Sequence, residues 1–256
     1  MNRNAPIGMF DSGVGGISVL REAVRLLPGE DFIFFGDTAN APYGTKERET
    51  VLRLSRRAVE DLLARGCKAI VIACNTATSA AAADLRKEYA SLPIIGMEPA
   101  LKPASLLHRD GIVLSLATPG TIAGEKYANL YARYGNGVIS LPCPGLMEFV
   151  ERLELDGPRL RAYFQDLFAP FAGHRIEAVV LGCTHYVFLR PALEHILPGV
   201  PLIDGNAGTA RQLKRRLEEE NLLSDRQAGG RALLLSSGGE EALAIMEKLL
   251  DPGNNA

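Results

Sequence analysis

The sequence predicts an α/β protein made of two similar halves, each built on a parallel sheet. Two observations lead there. Short runs rich in Val, Ile and Phe alternate with longer stretches of helical periodicity, the strand–helix–strand rhythm that produces parallel sheets. Strand-and-turn segments then recur at a nearly constant offset, which marks a duplicated unit.

Taken in order, strands are expected at residues 7–10, 32–35, 69–73, 94–95, 112–116, 178–181 and 202–203, all short apolar runs that read as buried on both faces. Residues 45–65 place Val51, Leu54, Ala58 and Leu62 on one helical stripe, with Arg53, Arg56 and Arg57 elsewhere and Gly66 as the stop signal. After Asp204 come a helix pattern near 208–221, a strand at 232–235 and a last helix. That segment is too short for a third domain and is expected to return and complete the first half. Its charge run at 211–220 mixes signs at helical spacing and reads as a solvated face.

The repeat is visible residue by residue. Ala-Ile-Val-Ile-Ala-Cys-Asn-Thr at 69–76 overlays Ala-Val-Val-Leu-Gly-Cys-Thr-His at 178–185, placing Cys74 over Cys183. Leu-Pro-Ile-Ile-Gly at 92–96 overlays Val-Pro-Leu-Ile-Asp at 200–204, and Gly-Met-Phe-Asp-Ser-Gly at 8–13 overlays Ser-Leu-Ala-Thr-Pro-Gly at 115–120. Two prolines at 99 and 103 mark a crossover. The division that follows is 1–98 plus 207–256 for the first domain and 99–206 for the second.

Composition narrows the function. The chain has 256 residues, 47% hydrophobic and 23% charged, which is the balance of a soluble globular protein with a sizeable core. Its formal net charge is −2, with basic residues dispersed, so no nucleic-acid footprint is visible. The N-terminus has no apolar signal region and no stretch is long enough to span a membrane, so a cytoplasmic protein is expected. Four cysteines, at 67, 74, 143 and 183, form no C-x-x-C pair. Reduced thiols and no structural zinc site are expected.

Chemistry is expected at the carboxyl ends of the strands, where ligands of parallel sheets bind. Those ends are polar: Asp11-Ser12-Gly13, Gly36-Asp37, Cys74-Asn75-Thr76, Thr118, Thr121 and Cys183-Thr184-His185. The Gly-rich turn at 13–16 matches neither nucleotide fingerprint, and Asp11 and Ser12 read equally well as helix caps or site residues. A thiol at a helix N-terminus is expected to be depressed below the free-cysteine value of about 8.5. Cys67 and Cys143 read as small core residues. Cys74 and Cys183 occupy equivalent turns, and His185 lies two residues from the second, where it can orient that thiol or exchange its proton.

Two matched thiols limit the options. The pair is not the C-x-x-C of a disulfide reductase; positions 80 and 189, where a thiol phosphatase would carry Arg, are Ala and Leu. A cysteine hydrolase leaves one thiol unused. Stereochemical inversion uses both: one thiolate removes an α-proton from one face while the other thiol supplies a proton to the opposite face.

The combination Phe-Asp-Ser-Gly-Val-Gly-Gly at 10–16, Gly-Asp-Thr-Ala-Asn-Ala-Pro-Tyr-Gly at 36–44, Ala-Cys-Asn-Thr-Ala at 73–77, Ala-Thr-Pro-Gly-Thr at 117–121 and Leu-Gly-Cys-Thr-His-Tyr at 181–186 resembles the cofactor-independent glutamate racemases of the aspartate/glutamate racemase superfamily. The resemblance spans nearly the whole chain. It implies two α/β domains related by pseudo-symmetry, with the active site in the cleft between them. It implies that Cys74 and Cys183 are the acid/bases, with Asp11 beside the first and His185 beside the second. Glu151 matches the family's acidic residue, with Glu148 competing for that place. Ser12, Tyr43, Gly44, Asn75, Thr76, Thr118 and Thr184, together with Asp11, match substrate-holding positions. No PLP or metal is implied; glutamate is the substrate, the assembly a homo-oligomer, expected as a dimer, and the product D-glutamate for peptidoglycan. Asp204-Gly205 and Val187 depart from the family's usual Asp-Ser and Pro. A racemase for aspartate or another amino acid, or a non-catalytic two-lobed amino-acid binder, are the alternatives.

Overall fold

The computed structural model describes residues 2–251. Nine strands lie among them: β1 (Ile7–Asp11), β2 (Phe32–Gly36), β3 (Ala69–Ile72), β4 (Ile94–Gly96), β5 (Ile112–Ala117), β6 (Val138–Pro142), β7 (Ile176–Leu181), β8 (Leu202–Asp204) and β9 (Ala232–Ser236). They form two sheets, parallel throughout, in the orders β4-β3-β1-β2-β9 and β6-β5-β7-β8. Reading the second order backwards superposes it on the first: β8-β7-β5-β6 against β4-β3-β1-β2. The duplication read from Cys74 and Cys183 is therefore a duplication of sheet topology, with β9 added at one edge by the returning chain.

The strand β6 has no counterpart among the sequence-predicted strands. Its segment, Val-Ile-Ser-Leu-Pro, is half-buried, because it lies at a sheet edge, and Ser140 and Pro142 dilute the apolar pattern. The repeat does contain the signal: β2 displaced by the same offset falls on β6. The edge strands β8 and β9 are likewise only partly buried, whereas β1 and β3 are buried throughout, as expected of central parallel strands.

Eleven α-helices connect the described strands: α1 (Ile17–Leu26), α2 (Arg48–Ala64), α3 (Asn75–Glu88), α4 (Leu101–Ser105), α5 (Pro119–Ile122), α6 (Glu125–Tyr134), α7 (Leu146–Glu151), α8 (Pro158–Phe168), α9 (Arg190–Ile196), α10 (Asn206–Glu219) and α11 (Gly239–Leu250). The predicted stripe of α2 is buried at Val51, Leu54, Ala58 and Leu62. Gly66, at φ +80°, ends that helix: its N–H reaches the Leu63 carbonyl and that of Cys67 the Leu62 carbonyl, the paired bonds of a Schellman stop.

Side chains alternate across each sheet. In the first, Ile7, Met9, Phe32 and Phe34 pack toward α1, α10 and α11, while Phe10, Ile33 and Ile70 pack toward α2 and α3. The first of these clusters runs on without a break into the second sheet through Leu114, Leu116, Val179 and Leu181 beneath α7, α8 and α9. Val113, Ala178 and Val180 close the other face with α4 and α6. One shared core thus holds the two sheets with their carboxyl ends toward a common cleft. No helix among the described residues is long and apolar enough to cross a membrane.

Candidate active site

The turns that follow β1, β3, β5 and β7 each contribute to one small cavity. Its lining includes Ser12 after β1, Tyr43 and Gly44 from the loop after β2, Cys74, Asn75 and Thr76 at the start of α3, Thr118 and Thr121 around α5, Met147 of α7, and Cys183, Thr184 and His185 after β7. Both thiols therefore face the same space, one from each sheet. The cavity measures about 20 Å³, enough for a water and too little for an amino acid.

Cys74 is the N-cap of α3, and its sulfur accepts the Ala77 N–H at 3.4 Å and lies 3.5 Å from Ser12 Oγ. The expectation of a depressed thiol is overturned: burial, joined by the negative charge of Asp11, pushes Cys74 up to about 12, against the smaller opposing pull of Ser12 and the Ala77 N–H. A helix N-terminus does not offset complete desolvation plus a nearby carboxylate. Cys67 and Cys143 are also buried, and burial raises them to about 11 and about 12.

The second thiol sits in a different field. Cys183 opens the 3-10 turn Thr184–Leu189, and its sulfur lies 3.7 Å from His185 Nδ1. The other ring nitrogen, Nε2, lies 2.9 Å from Glu151 Oε1, which also receives the Val14 N–H at 3.5 Å. Burial opposes the charged imidazole, yet the Cys183 sulfur and the Glu151 carboxylate together hold His185 well above its ordinary value. Glu151, for its part, is pressed upward by burial but ends below the usual carboxylate value because of His185 and the Val14 N–H. Glu151 and Met147 are one helical turn apart on α7, so both meet the site; Glu148 is not part of the cavity lining, and one of its carboxylate oxygens is buried and unpartnered. Gly15 is required here because a Cβ would run into the His185 ring and Thr184 Oγ1.

Asp11 is completely buried and lies behind the cavity rather than on its wall. It accepts the Gly13 N–H at 2.7 Å and the Thr184 hydroxyl at 3.0 Å, so the first half's turn is tied to the second half's thiol turn. Ser18 reinforces the tie by donating to the Thr184 carbonyl at 3.1 Å. The side chain touching Cys74 is Ser12; Asp11 acts on that thiol through its charge. Asn75 keeps both amide atoms buried with no partner beside the cavity, a donor and an acceptor available to a ligand. Thr76 Oγ1 lies 3.0 Å from Thr118 Oγ1 and 3.1 Å from Thr121 Oγ1, joining the two halves along the cavity wall.

The sequence profile of the Asp/Glu/hydantoin racemase family matches residues 7–213. The chain belongs to that family. Within this racemase family, the curated glutamate racemase of Clostridium novyi is 50% identical over 250 residues, covering 96% of each chain. The crystal structure of the Thermus thermophilus glutamate racemase with β-chloro-D-alanine is 39% identical, covers 98% of this chain and 95% of its own, and superposes with a TM-score of 0.81. That of the Francisella tularensis glutamate racemase with D-glutamate is 30% identical, covers 97% and 94%, and has a TM-score of 0.83.

Three lining or supporting residues of this family member escaped the sequence reading. Thr121 reads in the sequence as a polar strand-end residue with nothing that marks it as part of the site. Met147 carries no chemical signal, and only the helical spacing from Glu151 points to it. Asp37, buried just after β2, reads in the sequence only as part of a polar turn. Among the described residues no group of three or more His, Cys, Asp or Glu is arranged to hold a metal.

Proposed function

We propose that the protein interconverts L- and D-glutamate by a two-base mechanism with Cys74 and Cys183 as the proton carriers. The reading is supported above all by the placement of these thiols, one from each sheet, on a single cavity. One sulfur, as thiolate, takes the α-proton; the pair of electrons left on the α-carbon then takes the proton of the other, protonated sulfur from the opposite face. The two sulfurs finish with exchanged protonation, ready for the reverse reaction.

The two surroundings suit opposite roles. Cys74, raised by burial, holds its proton and starts as the acid. His185, fixed by Glu151, lies beside the Cys183 sulfur, where it can orient that thiol or exchange its proton. Ser12, Asn75, Thr76, Thr118 and Thr184, with the Tyr43–Gly44 turn, hold the substrate's carboxylates and ammonium through neutral donors and acceptors. Asp11 fixes Thr184 and the turn of Ser12. Both transfers use side chains alone, with no cofactor in the scheme.

Because the cavity is smaller than its substrate, the mouth must open and then reclose around it, and reclosure expels water from the reacting carbon. Domains of 1–98 plus 207–256, of which residues 1 and 252–256 lie outside the described residues, and of 99–206, a homodimeric assembly, a cytoplasmic location and D-glutamate supply for peptidoglycan complete the proposal. The test is incubation of pure L-glutamate with the protein in deuterated water, following optical rotation and α-deuterium. Loss of rotation with deuterium incorporation is expected. Activity on L-aspartate alone points instead to a different racemase, and binding without exchange to a non-catalytic binder.

A further inference from the structure

The last strand lies outside the residues matched by the family profile, yet it reaches the site. Register Gly36↔Ser236 in the β2–β9 pair sets the end of β9 beside the turn after β2. There Ser237 Oγ accepts the Ala39 N–H at 3.0 Å and donates to Asp37 Oδ1 at 2.8 Å. Thr38 Oγ1 and Ser236 Oγ lie 2.8 Å apart just outside.

Asp37 gathers three donors. Besides Ser237, Asn40 Nδ2 reaches Oδ1 at 2.9 Å and the Tyr43 hydroxyl reaches Oδ2 at 2.6 Å. Its own N–H binds the Asp11 carbonyl at 2.9 Å. Tyr43 is 1% exposed and its residue lines the cavity. Burial and Asp37 both keep the phenol protonated, so it remains a donor to the carboxylate.

We infer that Asp37 is a positioning residue for the substrate site, fixing Tyr43 and hence the adjacent Gly44 backbone, and that Ser237 at the end of the C-terminal strand pegs Asp37 in place. The inference rests on the proposed role of the Tyr43–Gly44 turn in holding substrate. An amide at position 37 has one acceptor where the carboxylate serves three donors, so Asp37→Asn must release at least one of them. A phenylalanine at 43 removes the donor itself.

The experiment is a double-mutant cycle on the full chain with L-glutamate. Asp37→Asn and Tyr43→Phe are each expected to raise KM about three- to tenfold, the size of one lost hydrogen bond, with a smaller change in kcat per active molecule. The double variant is expected to match the worse single variant. Independent, multiplying effects, or an unchanged KM with only a lowered melting temperature, overturn the inference. Ser237→Ala, a surface change that leaves the fold intact, is expected to raise KM about two- to threefold, within the range of a partly exposed hydrogen bond, and Ser237→Thr to restore it; a wild-type KM in Ser237→Ala removes the C-terminal peg. If the unmodified protein binds glutamate without racemising it, the racemase reading fails on its own, and the same cycle is read in Kd.

Discussion

Thr184 donates a 3.0 Å hydrogen bond to Asp11, linking the residue after one thiol to the residue that ends the first strand of the other half. The bond is fully buried and crosses between the two sheets. It makes the geometry at Cys183 dependent on the turn that also carries Ser12, the neighbour of Cys74. The thiols are thus positioned jointly.

The two-base assignment has a sharp consequence for single variants. Cys74→Ala and Cys183→Ala are each expected to lower racemisation by about 10²–10⁴-fold, the contribution of a positioned acid or base. Each retains one thiol, which can remove and return a proton on its own face. Each variant should therefore exchange the α-hydrogen of one enantiomer with deuterated water without inverting it, and the two variants should prefer opposite enantiomers, as NMR would record. Undiminished racemisation by either protein refutes the assignment.

The link between His185 and Glu151 predicts a pH-dependent stability. His185 is held well above its ordinary 6.5 by Cys183 and Glu151 after burial is overcome, so its contribution is fully present below 6.5 and lost as pH rises through the raised value. Glu151 is lowered from 4.5, so its contribution is present above 4.5 and lost as pH falls through the lowered value. Glu151→Gln should therefore cost most stability near pH 6 in urea titrations, and the gap from the unmodified protein should narrow toward alkaline pH. The imidazole of His185, followed by NMR, should titrate at lower pH in that variant. A gap that widens with rising pH contradicts the ion pair.

Gly44 of the substrate turn packs closely against Gly120 of α5. A Cβ on Gly120 would lie 2.6 Å from the Gly44 carbonyl oxygen and 3.0 Å from Gly44 Cα. Gly120→Ala is expected to cost this packing about 1–3 kcal/mol, as overpacking does, and so to raise KM by about five- to 150-fold. Gly208→Ala on α10, where nothing lies within 4 Å, serves as the control with unchanged KM. Equal KM values for both variants would show that the Gly44–Gly120 approach is not part of substrate closure.

Much of the site was readable because its markers are local. Cys74 and Cys183 stand at the same point of a repeated apolar strand, and a strand's carboxyl end is where a parallel sheet exposes its chemistry. Element positions followed from periodicity, with α2 shifted by a few residues at its start and β6 hidden because Ser140 and Pro142 break its apolar run. The choice between Glu151 and Glu148 stayed open in the sequence, since both lie in one short helix; the direction each faces comes from how α7 packs against the 3-10 turn carrying His185.

The amino-acid order alone determined the duplicated sheets, the two equivalent thiols and the polar residues around them, because hydrophobic periodicity and turn chemistry act over a few neighbouring residues. Tertiary structure decided the electrostatics: Cys74 raised rather than lowered, His185 raised between a sulfur and a carboxylate, Asp11 behind the cavity wall, and Asp37 tied to the far end of the chain. Desolvation and charge coupling depend on what is packed around a group in space, and those neighbours come from segments separated by up to two hundred positions, such as Ser237 and Asp37.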